Sequence, residues 1–392
     1  MLDPANVDSC NNIGNILRSL GRSEEALPWF DRSLELRPND AMTITSKAVT
    51  LAELHRVDEA FAAYRLARAT DPGCAAAEWN LALLEMLTGN FEAGWAGREA
   101  RWKIPALSAY YPKLSQPMWL GKEPIDGKTI LINVDEGLGD TIQFARYVPM
   151  VAARAARVIL CVQDALCPLL SDLPGISQCL PLSTSERPAF DTYCPVSSLP
   201  LAFGTRLETI PSATPYLPAP AASRVQVWEE RLGPRDKVRV GLVWSGNPMH
   251  DNDHNRSIPL RMLARILDVG ASFISLQKDP RPDDSATLLE RTEIVDLTAE
   301  LTDFAETAAL VACLDLVITV DTSIAHLAGA LGRPTWVLLP YTPDYRWLLG
   351  RDDSPWYPTV RLFRQTATRE YESVVDRIRT ELRAMISAGK TS

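Results

Sequence analysis

A chain of 392 residues exceeds one ordinary hydrophobic core, so two or three domains are expected. With 46% hydrophobic and 23% charged residues it has a globular composition, which excludes wholesale disorder. A formal net charge of -9 argues against a nucleic-acid partner, because phosphate binding needs a concentrated positive surface; a local basic pocket stays possible.

The first hundred residues repeat. Pro38 and Pro72 lie 34 residues apart, as do Leu17 and Leu51, Leu20 and Leu54, Ala26 and Ala60, and Phe30 and Tyr64. Gly14, Ala48 and Ala82 fill one small position, and Ala26, Ala60 and Gly94 another, as required where paired helices approach closely. This is the spacing of tetratricopeptide (TPR) repeats, helical hairpins that bury their apolar faces only by stacking. The third unit loses the pattern after Gly94, with Trp95 and Trp102, and Pro105 ends it, as expected of a terminal repeat that packs on something else. Leu2 and Pro4 sit 34 residues before Leu36 and Pro38, so the chain is expected to begin inside a longer array. A short solenoid of this kind is either a docking surface for a protein partner or an internal scaffold packing on its neighbour.

Residues 103–128, with four prolines, read as a linker with a short docking segment. Residues 129–134 (TILINV) form a buried strand that enters Glu136-Gly137-Leu138-Gly139-Asp140, with a helix expected from Thr141 to about Arg154. Gly137 and Gly139 allow a tight turn and a close approach to a ligand. The third glycine of a dinucleotide fingerprint is missing, since Gln143 stands there. Asp140 either faces a substrate hydroxyl or caps the helix. Further strands are expected at 158–162 and 190–194, and the proline-dense stretch 210–220 reads as a semi-rigid connector.

The last third repeats the alternation. Strands are expected at 237–244, 272–276, 293–297 and 316–320, with helices at 260–268 and 303–314 and a final helix at 370–385. Ser245-Gly246-Asn247 follows the first of these strands, and Arg256 stands in the polar loop beyond it. Arg256 supplies a fixed cation for a diphosphate or forms a surface ion pair. Asp321-Thr322-Ser323 follows the strand 316–320 and opens a helix expected over 324–331, which carries His326 and stops at Gly332. The carboxyl end of a parallel strand and a helix N-terminus together favour an anionic ligand; the plainer reading is a hydroxyl cap with a locally bonded histidine. His250 and His254 flank Asp251, Asn252 and Asp253, a grouping more in keeping with a solvated loop than with a metal site. The aromatic stretch with Trp347, Trp356 and Tyr357 either walls a site or packs the final helix against the other domain.

Seven scattered cysteines without a Cys-x-x-Cys pair suit buried thiols in a reducing compartment better than a disulfide framework or a zinc site. The N-terminus has no signal-like pattern, and the longest apolar runs are short, so a cytoplasmic location is expected.

Four stretches in order, EGLGD at 136–140, WSGNP at 244–248, RSIPL at 256–260 and VDTSIAHLAGALGRP at 320–334, resemble glycosyltransferase family 9, the ADP-heptose–lipopolysaccharide heptosyltransferase group. The resemblance covers roughly residues 129–364, and the whole chain looks like bacterial TPR proteins bearing such a domain. It implies a GT-B fold, two Rossmann-like doubly wound domains with a nucleotide-sugar donor in the cleft between them. The expected organisation is TPR-type repeats over 1–106, an acceptor-side Rossmann-like domain with its linker over 107–222, and a donor-binding domain with a C-terminal helix over 223–392. By resemblance, Asp140 matches the proposed general base. Asp321, Thr322 and His326 match the donor-binding motif, with Thr322 and the helix amides facing the diphosphate. Arg256 falls near a lysine of the heptosyltransferases.

The expected activity is transfer of a hexosyl or heptosyl group from a nucleotide-diphosphate sugar to an acceptor hydroxyl on protein, lipid or glycan. It would be inverting and metal-independent, with no cofactor, catalysed by Asp140 and Arg256. The donor would be held by Gly137, Gly139, Ser245, Gly246, Asn247, Asp321, Thr322, Ser323 and His326. The alternative is a TPR scaffold whose GT-B domain is inactive. No nucleic-acid partner and no transmembrane segment are expected.

Overall fold

The computed structural model describes residues 6–109, 111–250 and 252–389. Leu2 and Pro4, on which the longer-array expectation rests, and Asp251 lie outside these. The chain divides into two compact units. One takes in the described residues up to Lys113 with Gly204–Glu208 and Thr342–Leu349, and the other holds Leu114–Phe203, Thr209–Tyr341 and the described residues from Gly350 onward.

In the first unit the 34-residue period becomes three helical hairpins: α1 (Val7–Ser19) with α2 (Ser23–Leu36), α3 (Ala41–Glu53) with α4 (Val57–Thr70), and α5 (Ala75–Leu87) with α6 (Phe91–Arg98). Their first residues, Val7, Ala41 and Ala75, and then Ser23, Val57 and Phe91, keep the sequence spacing. Ala26, Ala48 and Ala60 are fully buried and Ala82 nearly so, which lets each pair of helices come together. Beyond α6 the backbone tightens into a 3-10 segment, Glu99–Lys103, and Pro105 opens the short α7 (Pro105–Ser108).

The last hairpin is covered by the chain's own 342–349 segment. Tyr345 meets Trp95 edge-on with ring centroids 5.9 Å apart, and the buried Arg98 guanidinium lies over the Trp79, Trp95 and Tyr345 rings. Thr342 Oγ1 donates to the Glu53 carbonyl at 2.9 Å. The terminal repeat thus packs on a segment that follows it by more than two hundred residues in the chain. Trp347 belongs to this unit and is fully buried.

The second unit is α/β. Strands β1 (Thr129–Asn133), β2 (Arg157–Val162), β3 (Gln178–Pro181) and β4 (Thr192–Pro195) form a parallel sheet in the order β3-β2-β1-β4. The linker does dock, since Met118 bridges Tyr193 beside β4 and Trp119 N–H donates to the Tyr193 carbonyl. Strands β5 (Arg239–Val243), β6 (Ser272–Ser275), β7 (Ile294–Val295), β8 (Leu316–Val320), β9 (Thr335–Leu339) and β10 (Val360–Arg364) form a second parallel sheet, ordered β10-β9-β8-β5-β6-β7. Both are open parallel sheets of the Rossmann-like, doubly wound kind. Nearly continuous apolar runs such as Leu316–Val320, buried at all five positions, identify strands covered on both faces.

Several expected elements shift. The helix after β1, α8, begins at Leu138 rather than Thr141 and ends at Phe144; a 3-10 turn, Ala145–Tyr147, and a second short helix, Val148–Ala152, replace its continuation. The early start follows from Gly137, whose extended backbone serves as N-cap while Asp140, at the third helical position, accepts the Gly137 N–H at 2.9 Å. The final helix, Glu372–Gly389, buries Val374, Val375, Ile378, Leu382 and Ile386 in the core of the second sheet, so its packing partner is its own sheet.

Candidate active site

In an open parallel sheet the strand order reverses at one point, and ligands gather beyond the carboxyl ends of the strands there. In the second sheet this point lies between β5 and β8, which are hydrogen-bonded neighbours with Val243 opposite Thr319. The residues just past those two ends are Ser245-Gly246-Asn247 and Asp321-Thr322-Ser323. In the first sheet it lies between β1 and β4, and the residues beyond β1 lead into Gly137–Asp140.

Arg256 ties the first two segments together. Its Nη1 donates to the Asp321 carbonyl at 3.2 Å, and its guanidinium passes so close to Gly246 that a Cβ there would stand 2.8 Å from Nε. Any side chain at position 246 would push the cation away. Asp253 lies 3.6 Å from Arg256 Nε, which is beyond hydrogen-bond length, and Nε is buried without a hydrogen-bond partner among the described residues. Asp253 is itself engaged elsewhere, accepting from Ser257 Oγ at 2.7 Å and pairing with Arg281. Ser257 Oγ in turn accepts the Gly246 N–H at 2.9 Å. Gln277, two residues past β6, accepts the N–H groups of both Trp244 and Ser245 through Oε1. Ser245 Oγ is buried and has no partner among the described residues. Asn247 is exposed, with its Oδ1 accepting the Met249 N–H at 3.0 Å.

The helix Ser323–Ala330 starts one residue earlier than expected. Its N-cap is Thr322, whose Oγ1 accepts the Ile324 N–H at 3.3 Å and lies 3.1 Å from Thr319 Oγ1. The Thr322 hydroxyl therefore serves the cap, which is the plainer of the two readings. Ser323 is the first helical residue and half-buried. His326 is 4% exposed, with Nδ1 2.9 Å from Tyr357 Oη.

This helix packs directly against α8, the helix that carries Asp140. A Cβ on Gly139 would fall 2.8 Å from His326 Cδ2 and 3.5 Å from the Ser323 Cα, so only glycine admits this approach. Through it the structure brings Gly137, Gly139 and Asp140 to the side of the Asp321–His326 segment, and Arg256 brings Gly246 to Asp321. Asn247 alone among the expected residues points its amide oxygen into a local turn rather than toward these groups.

Four supporting residues were not among the expected site residues. Asp135 accepts from Ser197 N–H and Oγ, bracing the β1–β4 switch point. Gln163 accepts from Thr141 Oγ1 and donates to the Glu136 carbonyl, fixing the glycine turn. Tyr357 holds His326, and Arg146 lies 4.8 Å from the Tyr357 ring centroid. For Asp135 and Gln163 the signal was available, as polar residues just past strand ends. Tyr357 was read only as part of an aromatic stretch that walls a site or packs a helix, and for Arg146 there was no signal, because only the tertiary fold makes the two neighbours. His254 is exposed on a one-turn helix, Asp253–Arg256, where a loop was expected, and among the described residues no group of three or more His, Cys, Asp or Glu side chains is gathered closely enough to hold a metal ion.

The fold and these two switch points define a protein of helical repeats followed by two Rossmann-like parallel sheets. Residues 280–379, which contain Asp321 to His326, match the model of glycosyltransferase family 9 (heptosyltransferase), and residues 7–40 match the tetratricopeptide repeat. Protein FlbA of Caulobacter vibrioides is 27% identical over 407 residues, covering 95% of this chain, and the chain spans 66% of that curated relative's length. Among solved structures, the glycosyl transferase family 9 protein of Veillonella parvula is 13% identical with a TM-score of 0.47, and the alignment covers 67% of this chain and 99% of that one. The ADP-heptose LPS heptosyltransferase II of E. coli is 17% identical, also with a TM-score of 0.47 and the same two coverages. No helix among the described residues is long and apolar enough to cross a membrane.

Proposed function

We propose that this protein transfers a sugar from a nucleotide-diphosphate sugar to an acceptor hydroxyl, in one inverting displacement that needs no metal. The observation that carries the reading is the convergence at the β5–β8 switch point. Arg256 is held against Gly246 and the Asp321 carbonyl there, and the Asp140 helix is packed on the His326 helix beside it. As the bond from the anomeric carbon to the diphosphate oxygen breaks, negative charge grows on the leaving group. Arg256 and the first amides of Ser323–Ala330 are disposed to stabilise that charge, and a cation with an unpartnered buried Nε has a donor to offer. Asp140 would accept the acceptor's hydroxyl proton as the new carbon–oxygen bond forms on the opposite face of the sugar. Its carboxylate is oriented by the Gly137 N–H. Asp321, Thr322, Ser323, Ser245 and Gly246 would shape the donor pocket, and the repeats would serve a protein partner. The reaction is placed in the cytoplasm, where nucleotide sugars are made.

The test is a panel of nucleotide sugars with the wild type and Asp140→Ala, following donor consumption and product stereochemistry. Transfer by the wild type, unchanged by a chelator and lost in the variant by about a hundredfold or more, is expected. Donor binding without turnover in either protein would instead support the scaffold with an inactive GT-B domain. Loss of turnover on chelation would overturn the metal-independent part alone.

A further inference from the structure

His326 sits between two neighbours that treat its ring differently. Its Nδ1 lies 2.9 Å from Tyr357 Oη. The opposite edge faces Gly139, where a Cβ would stand 2.8 Å from Cδ2 and 3.4 Å from Nε2. Tyr357, 1% exposed, lies on Gly329, whose missing Cβ leaves room for the ring, and beneath the guanidinium of Arg146.

Arg146 is 5% exposed and is fixed by three carbonyls. Nε donates to Gln143 at 2.8 Å, and Nη1 donates to Pro211 at 3.1 Å and Trp356 at 2.9 Å. Tyr216 and Trp356 complete an aromatic box around it, at 4.4 and 5.3 Å from their ring centroids. An arginine keeps its charge under such burial, so Tyr357 carries a permanent cation over its face. That cation draws electron density from the phenol, which strengthens the hydroxyl as a donor and weakens it as an acceptor. A hydroxyl so polarised favours the donor role in the 2.9 Å contact between Oη and Nδ1. An imidazole that is neutral and accepts at Nδ1 bears its proton on Nε2.

We propose that Tyr357, polarised by Arg146, is a positioning residue that fixes His326 as the neutral Nε2–H tautomer and presents that N–H toward the Gly137–Asp140 turn. Its use there rests on the transfer reading: the N–H would meet an anionic oxygen of the sugar donor. A neutral donor does this without adding a second cation on the side of the turn that carries Asp140, whose carboxylate has to remain a base.

The experiment is long-range proton–nitrogen NMR of the ¹⁵N-labelled full chain at neutral pH. The sequence holds four histidines, so loss of one set of signals in His326→Gln gives the assignment. The expected wild-type pattern is a pyridine-like Nδ1 and a pyrrole-like Nε2, and Tyr357→Phe, which keeps the ring beneath Arg146, moves the two nitrogens toward an averaged pattern. A protonated Nδ1 in the wild type, a doubly protonated ring, or a pattern unchanged in Tyr357→Phe overturns the assignment. The wild-type spectrum decides the tautomer even if a variant folds poorly. In the transfer assay Tyr357→Phe is expected to raise the donor KM about tenfold with a smaller change in kcat. Turnover with the wrong tautomer removes this inference alone. Absence of wild-type turnover removes the transfer reading, while the spectrum still decides the tautomer.

Discussion

At Arg256 the backbone has been shaped around a cation: glycine at 246, a carbonyl at 321, and a carboxylate at 253 that is already bound to Ser257 and Arg281. On the proposed reading, losing the guanidinium removes one charge-assisted contact to the donor's diphosphate. Arg256→Ala should weaken nucleoside diphosphate binding by about 1–2 kcal/mol, roughly fivefold to thirtyfold. Titration calorimetry reads this directly, and an unchanged affinity would return Arg256 to a structural role. A second residue tests burial chemistry. Burial pushes the Cys313 thiol up to about 11, with the Glu229 carboxylate adding to the shift, and Sγ donates to the Ala309 and Val225 carbonyls. A raised thiol pKa means a protonated, poorly nucleophilic sulfur at pH 8. Iodoacetamide should therefore modify Cys313 slowly in the folded protein and readily after unfolding, as peptide mass mapping would show.

At the scale of elements, caps decide where the site helices begin. Thr322 and Asp303 each precede an apolar helical run, and each accepts an N–H as its N-cap, Thr322 from Ile324 and Asp303 from Glu306. Thr322→Ala should cost about 1 kcal/mol in urea unfolding, while Thr322→Ser should restore most of it. A larger loss of donor affinity than of stability would point instead to direct contact with the diphosphate. The start of α8 was misread because a glycine N-cap has no side chain to announce it; the signal was Asp140 three residues on, which completes the cap from inside the helix. The short strands β3 and β10 were missed for related reasons. Gln178–Pro181 ends in proline and is only four residues long, and Val360–Arg364 alternates arginine with apolar residues at a partly exposed edge.

For the molecule as a whole, the repeat unit is completed by residues distant in the chain. Tyr345 closes over Trp95 and Arg98, so Tyr345→Ala leaves a cavity beside an aromatic pair and uncovers a buried guanidinium. About 3–5 kcal/mol of destabilisation of the repeat unit is expected. Tryptophan-fluorescence unfolding would register it, and an effect below 1 kcal/mol would show that the 342–349 segment contributes little to the unit.

Local rules determined much of this protein. A 34-residue period set the hairpins of the repeat unit, apolar runs set the central strands, and hydroxyl and carboxylate caps set several helix starts. Each is a property of residues near one another in the chain, and hydrophobic periodicity or a capping hydrogen bond expresses it directly. The expected site residues came from the same source, since strand ends can be read along the chain. Tertiary structure decided which strand ends lie side by side, because β5 pairs with β8 across seventy-odd residues and their register is settled only by packing. It decided that Arg256 turns inward to Asp321, that the final helix returns to its own sheet, and that Tyr357 and Arg146 meet His326. Contacts of that kind depend on shape and burial between distant segments, and nothing in the local chain records them.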